Sequence, residues 1–105
     1  MDNRNFDLGR FFDLSLSILL SLANGPRHGH AIIEDIAEIC GTRLEPGTLY
    51  AALTRMERRG WIEALDTLER RRPYRITGAG EHVRREQLKL LNRIDVLRLQ
   101  SLTSS

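Results

Sequence analysis

The spacing of apolar positions changes character once along the chain, at Gly60. Before it the repeat is helical. From Asp13, a candidate N-cap, to Ala23, the residues Phe12, Leu16, Leu19, Leu20 and Ala23 share one stripe, while Leu14, Ile18 and Leu22 form a second on a neighbouring face. Asn24-Gly25-Pro26 then stops the helix. One stripe can pack inside a small domain, so the second is expected to need cover from a partner chain or from the chain's own C-terminal helix. From about His30 to Cys40, the residues Ile32, Ile36, Ile39 and Cys40 recur opposite Glu34, Asp35 and Glu38, and Gly41 marks the end. A third helix is predicted from Pro46, whose missing N–H is harmless in a first turn, to Arg59 before Gly60. Its inward stripe is Leu49, Leu53 and Met56 with Ala52 between them. That leaves Thr48, Ala51, Thr54, Arg55 and Arg58 outward, with Tyr50 at the boundary.

After Gly60 the pattern alternates. Ile62 and Ala64 oppose Glu63, and Tyr74 and Ile76 oppose Arg75, which predicts two short antiparallel strands joined across the polar residues 66–71. Thr77-Gly78-Ala79-Gly80-Glu81 leads into a long helix to about Gln100. Val83, Leu90, Ile94 and Leu97 line one side of it, widened by Leu88, Leu91 and Leu99. Such a helix, trailing off a small domain, has little of its own chain to pack against. The predicted fold is therefore mainly α with a small β-hairpin, a winged helix-turn-helix followed by a long C-terminal helix. The expected divisions are an N-terminal arm at 1–12, the winged-helix domain at 13–77, and the C-terminal helix with a short tail at 78–105.

Composition adds a direction to this frame. At 105 residues and 41% hydrophobic content the chain can build one modest core. The net charge of +2 is unevenly spread: residues 1–42 carry three Arg against six acids, whereas residues 43–75 carry eight Arg against five acids. All but one of the sixteen cations are Arg, whose planar fork suits phosphate oxygens and guanine edges. A polyanionic partner fits this, although charge alone equally fits a solvated surface. The apolar run from Leu14 to Ala23, interrupted by Ser15, Ser17 and Ser21, is shorter than the roughly 20 residues a membrane span needs. With no secretory pattern at the start, a cytoplasmic protein without membrane partners is expected. Cys40 is the single cysteine and falls on an apolar stripe, where it reads as a small buried hydrophobe. His28, His30 and His82 do not form a zinc pattern, so no metal or other cofactor is expected. No nucleophile with a base, phosphate-cradling glycine loop or carboxylate pair is visible, which argues against an enzyme.

In a winged helix-turn-helix the third helix enters the major groove of double-stranded DNA. Gly47, Thr48 and Ala51 are small enough to let the helix approach base edges, and Thr48 can bond to a base or a phosphate. Tyr50 offers a rigid ring and a hydroxyl for the backbone, or it simply caps the core. Thr54 lies on the same face. Arg55 and Arg58 follow where phosphates flank the groove, although Arg58 and Arg59 also suit the negative end of the helix. Arg70, Arg71 and Arg72 fall on the wing. Glu45 is a poor match to phosphate and either accepts from a cytosine amine or stays in solvent. Trp61 either packs under the wing or stacks on a flat effector.

Several segments together resemble the PadR-like transcriptional regulators: Gly25-Pro26-Arg27-His28-Gly29; Pro46-Gly47-Thr48-Leu49-Tyr50 followed by Leu53, Arg55, Met56 and Glu57; Gly60-Trp61-Ile62; and Arg71 to Thr77 with Gly80. The resemblance runs from about Leu14 to Leu99, with departures at His30, Trp61 and Pro73. It implies a homodimer held by the first and last helices, with Leu14, Ile18 and Leu22 and Val83, Leu90, Ile94 and Leu97 as the residues expected to pair two copies and 78–105 as the dimerisation helix with its tail, on a palindromic operator, commonly released by a small effector, here hydrophobic or aromatic. The leading expectation is a DNA-binding transcriptional repressor. The alternative is a winged-helix protein-interaction module without DNA binding.

Overall fold

The computed structural model describes residues 14–66 and 72–103. Within them α1 covers residues 14–22, followed by α2 (Gly29–Cys40), α3 (Pro46–Arg58), strands β1 (Ile62–Ala64) and β2 (Tyr74–Ile76), and α4 (Gly78–Thr103). The order is that of a winged helix. Its core gathers Ile18, Leu19 and Leu22 from α1, Ile32, Ile33 and Ile36 from α2, Leu49, Ala52, Leu53 and Met56 from α3, and Ile62 from β1.

The first helix is more deeply enclosed than its two stripes suggest. Leu16, Ile18, Leu19 and Leu22 are all buried within the single chain, and so are Ser17 and Ser21. Ile18 and Leu22 therefore belong to the internal core and are not the open face expected to await a partner; Leu14 is half-buried against the same core. The serines are tolerated because each has a polar neighbour: Ser21 Oγ donates to Asp35 Oδ2 at 2.7 Å, and Ser17 Oγ lies 3.3 Å from Cys40 Sγ. These two contacts also set α1 and α2 side by side and antiparallel.

In α2 the helical period is right but the inward stripe is too long. Ile36 is 2% exposed and Ile39 is 57% exposed, and the chain is open to solvent from Glu38 through Arg43. Cys40, expected inside, is exposed for the same reason: the last turn of α2 runs past the edge of the core. α3 divides as its period dictates, with Leu49, Ala52, Leu53 and Met56 buried and Thr48, Ala51, Thr54, Arg55 and Arg58 exposed.

The hairpin pairs Ile62 with Ile76, Glu63 with Arg75 and Ala64 with Tyr74, which puts the apolar residues on one face and a Glu63–Arg75 ion pair on the other. Two three-residue strands are marginal alone. A feature without periodic signature supports them: Arg27, between α1 and α2, exchanges both backbone hydrogen bonds with Tyr74, at 3.0 and 2.8 Å. The Tyr74 phenol is pushed above its ordinary ionisation range, first by burial and then by the charge of Glu57 and the neighbouring Tyr50, against a smaller opposing effect of Arg72.

α4 starts on Thr77, whose Oγ1 accepts the Gly80 N–H at 3.1 Å. Gly80 is packed so closely on the Trp61 carbonyl and Ile76 that a Cβ there would collide with backbone, which fixes the exit of α4 from the wing. Val83, expected on the free stripe, packs against the core of its own chain. Further along, Leu90 and Leu91 stand exposed on a helix of 26 residues, about 39 Å long. No described helix is long and apolar enough to cross a membrane.

Two outcomes are expected from this packing. Ile36→Ala lowers the unfolding free energy by about 2–5 kcal/mol in urea titration, whereas Ile39→Ala changes it by less than about 0.5 kcal/mol, despite their equal standing in the apolar repeat. For Tyr74, the folded state retains a proton that the unfolded state releases once the pH passes about 10. Its contribution is full below that pH and is lost as the pH rises through the higher folded value. Urea midpoints measured upward from pH 9 should therefore fall more steeply for the wild type than for Tyr74→Phe.

Candidate nucleic-acid interface

The start of α3 is built to be open. Glu45 takes an extended N-cap conformation (φ −69°, ψ 139°) and its side chain does not cap the helix. Pro46 has no N–H to satisfy, which leaves the Gly47 and Thr48 amides at the positive end of the helix, both on exposed residues. Thr48, Ala51, Arg55 and Arg58 then follow at steps of three and four, so one exposed stripe runs for about 15 Å along the helix. Thr54 is on the exposed side too, but its hydroxyl donates to the Tyr50 carbonyl at 2.9 Å, which leaves it an acceptor and a methyl group to offer.

Tyr50 sits at the edge of the exposed face. It is 47% exposed, yet its ring rests on the first residue of α2. A Cβ on Gly29 would lie 2.5 Å from the Tyr50 hydroxyl oxygen and 2.8 Å from Cζ, so a larger residue there would push the ring from its present place. The seat was not visible in the apolar repeat, because a glycine carries no hydropathy signal. Its position at the start of α2 is the one cue that sequence supplied.

The arginines divide by what already holds them. Arg27 pairs with Asp35 at 3.0 Å, Arg43 with Glu34, Arg75 with Glu63 and Arg84 with Glu81. The Glu34 and Glu81 carboxyls are held below their usual range, chiefly by these arginine hydrogen bonds. Arg59 lies over the Trp61 ring at 5.1 Å from its centroid, a cation–π contact. Trp61 is half-buried and packs against the core. Arg58 and Arg72 are exposed with no carboxylate partner among the described residues, and Arg55 shares the last turn of α3 with Arg58. Arg70 and Arg71 lie outside the described residues. Glu45 is exposed, with no side-chain partner among the described residues.

Tyr74 lies within electrostatic reach of Tyr50 and Glu57 on α3 and of Arg72 on the hairpin, which places the root of the wing beside α3. Gly47, Thr48, Tyr50, Ala51, Thr54 and Arg55 are thus gathered on the exposed side of one helix, and Arg72 is exposed on the hairpin. The residues expected to pair two copies are dispersed: Ile18 and Leu22 are internal, Leu14 and Val83 pack on the core, and Leu90 is open. Ile94 and Leu97 lie on α4 with side chains outside the described set. Among the described residues no group of three or more His, Cys, Asp or Glu stands together to hold a metal ion.

Comparison with known proteins agrees with this geometry. A family profile described as "Transcriptional regulator PadR-like family" matches residues 18–86. Over 71 residues, 68% of this chain, the sequence is 41% identical to an uncharacterized 37.1 kDa protein in transposon TN4556 of Streptomyces fradiae, and the match spans only 21% of that longer protein. The fold is similar to that of a PadR family transcription regulator from Clostridium difficile R20291, with a TM-score of 0.78 and 24% identity over 86% of this chain and 98% of that one. It is also similar to Bacillus subtilis PadR in complex with operator DNA, with a TM-score of 0.64 and 22% identity over 71% of this chain and 46% of that one. With the profile covering the core, the outward face of α3 and the wing, this chain belongs to the PadR-like family of transcriptional regulators.

Proposed function

We propose that this chain binds a palindromic operator in double-stranded DNA as a homodimer and represses transcription by occluding the promoter. The observation that carries the reading is the outward stripe of α3, small and polar at Gly47, Thr48 and Ala51 and then basic at Arg55 and Arg58. A helix of that profile fits the major groove, with its amides and Thr48 near base edges and its arginines at the flanking phosphates. The wing adds Arg72, with Arg70 and Arg71 beside it in sequence. Support from a relative is the operator complex of Bacillus subtilis PadR.

Dimerisation is assigned to α4. Leu90 and Leu91 are exposed there, and Ile94 and Leu97 continue the apolar repeat in sequence. Two copies joined through this helix would set two α3 helices about 34–36 Å apart, one turn of the duplex. Release by a small hydrophobic or aromatic effector rests on the family resemblance.

Titration against duplex DNA from upstream of its own gene tests the reading. Affinity should fall steeply and linearly with log salt, since phosphate contacts release counterions. Arg72→Ala should reduce the slope by about one, and Thr48→Ala with Tyr50→Ala should weaken binding by roughly tenfold while the fold is kept. Affinity that does not respond to salt would exclude the DNA interface and favour a protein partner. In sedimentation equilibrium, replacing both Leu90 and Leu91 by Asp should convert the dimer to monomer; an unchanged mass would remove α4 from the interface.

A further inference from the structure

We propose that Asp35 is a positioning residue for the wing: acting through Arg27, it sets where the hairpin stands relative to α3. The inference rests on the DNA-binding reading above for its consequence, and on the geometry of this chain for its cause. Arg27 is the only described residue outside β1 and β2 that forms a β-bridge with the hairpin, donating its N–H to the Tyr74 carbonyl and accepting the Tyr74 N–H. It follows Gly25 and Pro26 in a short connection that has no regular structure of its own, so something else must hold it. Its side chain turns back toward the helices. Nε lies 3.1 Å from the Ser21 carbonyl and 3.0 Å from Asp35 Oδ2.

Both acceptors have a reason to want that cation. Gly25 takes the Leu22 carbonyl, so Ser21 ends α1 with one of the carbonyls that a helix terminus leaves over, at the negative end of the helix. Asp35 is half-buried on α2 and also accepts the Ser21 hydroxyl at 2.7 Å. One carboxylate thereby ties the end of α1, the middle of α2 and the connection that carries the wing. Asp35 is not on the exposed stripe of α3, and its link to the wing runs through Arg27; its bond to Ser21 also joins α1 to α2. Without its charge, Arg27 keeps a single carbonyl, and the bridge to Tyr74 loses its anchor while the hairpin's own pairing stays intact.

Hydrogen exchange on the full chain tests the anchor without DNA. In Asp35→Asn, and equally in Arg27→Met, the backbone amides at position 27 and at Tyr74 should exchange about tenfold faster than in the wild type while the Leu53 amide in α3 is unchanged. Unchanged exchange at Arg27 and Tyr74, or acceleration of Leu53 to the same degree, would overturn the proposal. A second arm uses the duplex. Asp35→Asn should weaken binding several-fold and lower the salt slope by about one in the wild type, but have little further effect in Arg72→Ala, because both act on the same wing contact. Equal losses in the two backgrounds would also overturn it. If the wild type does not bind duplex at all, the functional reading fails while the exchange arm still decides the role of Asp35.

Discussion

Leu49, Leu53 and Met56, with Ala52 between them, hold α3 against Ile18, Leu19 and Leu22 of α1 and Ile32 and Ile36 of α2, and none of them is more than 2% exposed. Burial of each large side chain contributes about 1.5–3 kcal/mol relative to leaving it in water. Rotating α3 by even one residue would bring Tyr50 or Thr54 into that space and turn Leu49 outward. The packing therefore fixes which way Thr48, Ala51, Arg55 and Arg58 point, although those four contribute little to stability themselves. A surface that must be rigid in orientation but free in composition is what recognition by a helix requires, and this core supplies it.

The wing depends on the same core at one remove. Ile62 is buried in it, Ile76 and Tyr74 lean on it, and Thr77 and Gly80 fix the turn from β2 into α4. Three-residue strands have too few ladder bonds to stand alone, so the bridge from Arg27 to Tyr74 matters more than its size suggests. It joins the connection before α2 to the strand before α4. α3 and the wing are thus both referred to α1 and α2, the first by apolar packing and the second by backbone hydrogen bonds and one half-buried ion pair.

Where a segment has one core-facing stripe and a clear stop, its periodicity was enough to read it. α3 is such a case, from Pro46 at its first position to the outward Arg55 and Arg58, and so is the alternation of Ile62, Glu63 and Ala64. Periodicity failed where the extent of the core decides the matter. It gives Ile36 and Ile39 the same rank, yet the core ends between them, and it leaves the face of Ile18 and Leu22 to be covered by a partner chain or the C-terminal helix, whereas both are buried in the core of the single chain. The bridge at Arg27 and the glycine seat under Tyr50 involve one residue each and have no period at all. Within the interface, the outward face of α3 was therefore legible, whereas the parts that orient it and the wing were not.

Charge is the last place where sequence and structure weigh the same residues differently. Eight arginines fall within residues 43–75, but Arg43 and Arg75 face carboxylates and Arg59 faces an indole ring. The Arg43–Glu34 and Arg75–Glu63 pairs are exposed, so they neutralise local field more than they stabilise the fold. Their effect is spatial. They quiet the flank beyond α2 and the outer face of the hairpin, while Arg58 on α3 and Arg72 on the wing keep their charge uncompensated by any carboxylate among the described residues. A polyanion approaching within about 8–10 Å, the screening length at moderate salt, would feel that asymmetry and not the small net charge. The two arginines that keep their charge lie on α3 and on the wing, so a polyanion meets a local balance of charge that differs from the total.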